Sequence, residues 1–110
     1  MQYLGMVMPV LPGKTEEMKK AAAEMMGPRR KEHEESHRGS TIARDTVWLQ
    51  HTPMGDILVD VVQAGDMMKA FQMLIASKDP YMVWIKQKFL ETTGIDFNQP
   101  PAGMPEQVID

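Results

Sequence analysis

Residues 46–62, Thr-Val-Trp-Leu-Gln-His-Thr-Pro-Met-Gly-Asp-Ile-Leu-Val-Asp-Val-Val, read as a β-hairpin with two unlike faces. Pro53 suits the first corner of a type I turn, and Gly55 can take the left-handed conformation that closes a three-residue loop. With that loop Thr52 faces Asp56, so His51 pairs with Ile57, Leu49 with Val59, Trp48 with Asp60 and Val47 with Val61. One face then carries Val47, Leu49, Ile57, Val59 and Val61, with His51 near the turn. The other carries Trp48, Leu58 and Val62 beside Thr46, Gln50 and Asp60. The first face belongs under helices. The second is too apolar for open water and too polar for a dry core, which calls for a partner subunit or a ligand.

Outward from the hairpin, Tyr3–Val10 is nearly continuous in apolar residues, as expected of a strand covered on both sides, with Pro9 weakening its end or placing it at an edge. Pro12-Gly13 turns the chain, Thr15 is a good N-cap, and Glu16 and Glu17 suit the positive end of a helix dipole. Met18, Ala22, Met25 and Met26 follow at helical spacing as one buried stripe. Gly27-Pro28 interrupts that helix, and a second piece runs to about Arg38 with Gly39 closing it. The second piece has no aliphatic residue and cannot be a core helix. Beyond the hairpin, Asp66 caps a helix bearing Met67, Ala70, Phe71 and Leu74. Asp79-Pro80 starts another, with Tyr81, Trp84, Ile85, Lys88 and Phe89 at helical spacing and Gly94 as its stop. The Pro- and Gly-rich stretch from Ile95 to Pro105 is an extended connector, and Gln107-Val108-Ile109 suffices only for a short terminal strand.

Composition narrows the function classes. A chain of 110 residues reads as one domain, able to bury roughly 60–70% of its unfolded surface. A net charge of −3 gives no basic surface for nucleic acid. The absence of cysteine excludes disulfides, thiolate catalysis and thiolate metal sites, and fits a cytoplasmic protein. The apolar opening run lacks a basic start and a small-residue cleavage site, and is far too short to span a bilayer. Twelve methionines suit a soft core and a subunit interface before a dedicated ligand surface.

The order strand, helix, strand, strand, helix in two pieces, short strand is the βαββαβ arrangement called ferredoxin-like, an α+β fold with an antiparallel sheet. Such a sheet has helices on one face, so its other face stays wet or is covered by a second copy. In this order of elements the chain resembles the dimeric α+β barrel superfamily, in which two ferredoxin-like protomers pair sheet to sheet. The stretch from Thr46 to Asp56, Ala76-Ser-Lys-Asp-Pro-Tyr81 and Gly94-Ile-Asp96 resemble a branch of small, uncharacterised bacterial proteins within it. The resemblance implies a homodimer, often with a pocket between the sheet and the helices of each protomer. The superfamily includes cofactor-independent oxygenases, haem-binding enzymes and sugar mutarotases. No catalytic motif of these matches, so the resemblance carries no catalytic residue and no cofactor.

His33-Glu34-Glu35-Ser36-His37 matches the zinc-peptidase pattern H-E-x-x-H literally. The peptidase reading fails because the flanks are charged rather than apolar, and because His51, the one remaining histidine, falls on a strand. A solvated helix or the rim of a pocket is expected instead. Trp48 and Asp60, expected to face each other, form a polar patch at a subunit interface or a ligand contact. His51 is an edge residue. If the helix kink folds Arg30, His33 or His37 over His51, the group forms a polar mouth on an apolar pocket. Trp48, His51, Asp60, Arg30, His33 and His37 are therefore the candidate ligand-binding residues. Three functions compete: a homodimer binding a small apolar or aromatic ligand, a cofactor-independent oxygenase or isomerase on the same frame, and a dimer whose charged 29–38 segment docks another protein.

Overall fold

The computed structural model describes residues 1–101 and 103–110. The chain runs β1 (Gln2–Pro9), α1 (Thr15–Met26), α2 (Arg30–Arg38), β2 (Ile42–Thr52), β3 (Gly55–Ala64), α3 (Met67–Ala76) and α4 (Pro80–Thr93). Among the described residues the sheet has three antiparallel strands in the order β1-β3-β2. The fold is thus α+β, with four helices beside an antiparallel sheet, as the sequence pattern predicts. No described helix is long and apolar enough to cross a membrane.

Local chemistry accounts for most boundaries. Asp66 accepts from the Lys69 amide and Asp79 from the Met82 amide, each satisfying an N–H that the first helical turn leaves free. Pro80 occupies the first turn of α4, and Gly94 ends it in the left-handed region at φ 77°. Glycine suits the break after α1: a Cβ on Gly27 would stand 2.9 Å from the Ala23 carbonyl oxygen. Thr15 is not the cap it is expected to be. It is the first residue of α1, and its hydroxyl donates to Asp56, tying that helix to the hairpin.

Three expectations about the strands are corrected. The hairpin loop is two residues long, because Thr52 pairs with Gly55 and His51 with Asp56. Side chains alternate along a strand, so this one-residue shift exchanges the faces of β3 relative to β2. Leu58, Asp60 and Val62 now share the helix-side face with Asp45, Val47 and Leu49, while Trp48 pairs with Val59 on the other. Secondly, β1 is covered on one side only: Met8 is buried, whereas Tyr3 and Val7 are 67% and 66% exposed. It is an edge strand, which also explains how Pro9 is tolerated at its end.

Thirdly, Gln107-Val108-Ile109 forms no strand, and Val108 and Ile109 are exposed. The prolines at 100, 101 and 105 lack the N–H a ladder requires, and connector residues of 95–101 and 103–105 lie beside Gly5–Met8. The last element of the ferredoxin-like order is therefore missing, and the outer edge of β1 has no neighbouring strand among the described residues.

The core lies in two patches. Met8, Val10, Met18, Leu58 and Phe97 join the sheet to α1 and the connector. Ala21, Met25, Tyr81 and Ile85 join α1 to α4. Met18 and Met25 belong to the expected methionine stripe, while Met26 turns outward. Between the two patches the helices stand off the β2 half of the sheet. Val47 is 41% exposed although it is on the helix-side face.

Candidate functional site

The space left between helices and sheet is a groove of about 630 Å³. Its floor is Met6, Val47, Leu49, Leu58 and Val62 from the sheet. Met18 and Met25 of α1, Phe71 of α3, and Ile85 and Phe89 of α4 supply the walls. A concave, mainly apolar site with few polar groups is the usual form of a small-molecule pocket. Its polar groups gather around Asp60 and the one-turn pair His33 and His37.

Asp60 is only 5% exposed, and its Oδ1 has no hydrogen-bond partner among the described residues. Burial, then a hydrogen bond and charge repulsion from Asp45, push its carboxyl up to about 9. A carboxyl so placed favours its protonated form, because burial and a neighbouring acid both penalise the charged one. The register explains the meeting. Asp45 is opposite Val62 and Asp60 opposite Val47, which makes the two acids diagonal neighbours on one face.

Above them, α2 contributes the rim. His33 Nδ1 is hydrogen-bonded to the Tyr81 hydroxyl at 2.7 Å, and the His33 and His37 rings lie 4.6 Å apart. Burial and the neighbouring His37 lower the His33 pKa. Burial also pushes the Tyr81 phenol up to about 12. Arg29 lies over the rings of Tyr81 and Trp84, 5.0 and 4.4 Å from their centres, while its guanidinium makes two hydrogen bonds to Glu32. These contacts fix an otherwise solvated helix against α4.

The structure brings Asp60, His33 and His37 to one groove and leaves the other expected residues outside it. Trp48 is 54% exposed on the opposite face of the sheet and does not meet Asp60. His51 sits at the hairpin end, its Nδ1 2.7 Å from Asp56. Asp56 in turn is held below the usual carboxylate range by the Thr15 hydroxyl and then His51. Arg30 pairs with Glu34 at 3.4 Å on the solvent side of α2. The expected mouth over His51 is not formed, because α2 packs at the start of β2, near Asp45. That is about 20 Å along the strand from the turn.

Sequence reasoning missed Asp45 and Lys86. Asp45 carried a signal, since it alternates with Val47 and Leu49 on one strand face. Lys86 carried none. Its buried ammonium donates to the carbonyls of Leu74, Ile75 and Ser77, closing the C-terminal end of α3 from within α4. Burial lowers its pKa. Among the described residues no group of three or more His, Asp or Glu is arranged to hold a metal ion. No protein-family model and no curated protein matches this chain.

Proposed function

We propose that the protein is a homodimer, paired sheet to sheet as an α+β barrel, that binds a small apolar or aromatic molecule in the groove of each protomer. The observation that carries the binding role is the groove itself: apolar walls around one buried carboxyl with an unpartnered oxygen. A space filled only by packing would have no use for such a group, whose desolvation costs about 1–3 kcal/mol when left unpaired. Dimerisation is supported by the outer sheet face. There Tyr3, Val7 and Trp48 are exposed beside Ile57, Val59 and Val61, an apolar patch on a flat surface.

Two measurements test this reading. Sedimentation equilibrium of the whole chain is expected to give twice the monomer mass, and a monomer at all concentrations rejects the dimer. Native mass spectrometry, with small aromatic molecules added, is expected to show one bound per protomer. Absence of any bound species rejects the binding role.

Asp60 favours one further reading, an enzyme on the same frame. A buried carboxyl that holds a proton near neutral pH can exchange it with a bound substrate, as an isomerase or a cofactor-independent oxygenase requires. Turnover of an aromatic substrate that is lost in Asp60→Asn would select this over simple binding.

A further inference from the structure

We propose that the groove takes a protonated amine with an apolar or aromatic body, its ammonium seated on the Asp45–Asp60 carboxyl pair. This rests on the groove being a ligand site and names the chemistry of the ligand.

The first argument is the charge left over inside the groove. Asp45 and Asp60 are diagonal neighbours on the sheet face that lines the groove, and neither makes an ion pair with a lysine, arginine or histidine among the described residues. The two lysines and Glu32 of the lining are already engaged. Lys86 is held by three carbonyls, Glu32 by Arg29, and Lys19 lies 3.7 Å from Glu16. Burial and then the neighbouring His37 lower the His33 pKa, and its Nδ1 is already bonded to the Tyr81 hydroxyl. Among the described residues, neither lysine of the lining is paired with the two acids.

The second argument is the geometry of Asp60. It is 95% withdrawn from solvent by its residue exposure of 5%, yet it lines the groove with one oxygen unpartnered. Asp45 beside it is exposed, so the pair reaches from the floor towards the opening. An ammonium has donors for both carboxyls and supplies the missing charge. A hydroxyl supplies a hydrogen bond but leaves the charge unanswered. A carboxylate adds a second negative charge to a poorly solvated place and is repelled. The rings of Phe71, Tyr81 and Phe89 in the walls suit a cation joined to an apolar body, since aromatic faces attract positive charge.

The test is isothermal titration calorimetry of the whole protein near neutral pH with three probes of matched shape: phenylbutylamine, phenylbutanol and phenylbutyrate. The amine is expected to bind about tenfold tighter than the alcohol, and the carboxylate weakest. In Asp60→Asn the ratio of amine to alcohol affinity, measured within the variant, is expected to fall from about tenfold to about one. Asp45→Asn provides the same comparison if Asp60→Asn does not fold. Equal or stronger binding of the alcohol overturns the amine assignment and leaves the groove as a ligand site. Persistence of the amine preference in both variants also overturns it. Failure of all three probes to bind rejects the groove and the assignment together.

Discussion

The hydrogen bond between His33 Nδ1 and the Tyr81 hydroxyl, 2.7 Å long, fastens a helix with no buried residue to the most deeply buried ring of α4. Helix α2 has a further anchor on α4 in Arg29, which lies over the Tyr81 and Trp84 rings and bonds Glu32. Its intrahelical ion pairs are exposed and worth only a few tenths of a kcal/mol each. Tyr81→Phe keeps the ring and removes the bond. Urea unfolding is expected to show a loss of about 1 kcal/mol, and hydrogen exchange of the α2 amides is expected to accelerate selectively.

Asp60 and His33 oppose each other with pH. The Asp60 pKa is raised in the folded state, so its contribution is full below the unfolded value near 4 and is lost as pH rises towards about 9. The decline is at most about 1.4 kcal/mol per pH unit. Asp60→Asn, which mimics the protonated carboxyl, is expected to flatten the alkaline fall in urea midpoint. The His33 pKa is lowered, so its contribution is full above about 6.5 and is lost as pH falls. An unchanged alkaline slope in Asp60→Asn would show that the carboxyl does not hold a proton.

Lys86→Met conserves length and removes the charge that closes α3. Three part-buried carbonyls would lose their donor, at a cost of about 2 kcal/mol in denaturant unfolding. Lys86→Arg carries a forked head in place of a point charge and is expected to rescue only part of this.

Trp48→Lys places a charge on the outer sheet face, on strand β2, without touching the groove. The expected outcome is a folded monomer by sedimentation that retains probe binding. In the parent protein, Trp48 fluorescence should be shielded from iodide at high concentration and become accessible on dilution. Equal quenching throughout would count against sheet-to-sheet pairing.

Much of the fold was readable in linear order. Helix starts at Asp66 and Asp79, the break at Gly27-Pro28 and the stop at Gly94 all lie where the residues predict them, because caps and breakers act over a few bonds. The terminal strand failed for a nonlocal reason. Val108 and Ile109 have strand-forming side chains, but a strand requires a neighbour to accept its hydrogen bonds, and the chain before them carries prolines past β1.

The candidate site shows the same division. His33 and His37 sit one turn apart in any helix that spans them, and Asp60 falls on a strand by alternation alone. Whether Asp60 meets Trp48 or Asp45 depends on a loop of two residues rather than three, which turns every second side chain to the other face. Sequence by itself determined the elements and their ends, since those follow from contacts within a turn of backbone. Only the tertiary structure decided which acids are neighbours, which histidines reach the groove and, among the described residues, which strand edge stays unpaired, because these depend on register and on distances between segments far apart in the chain.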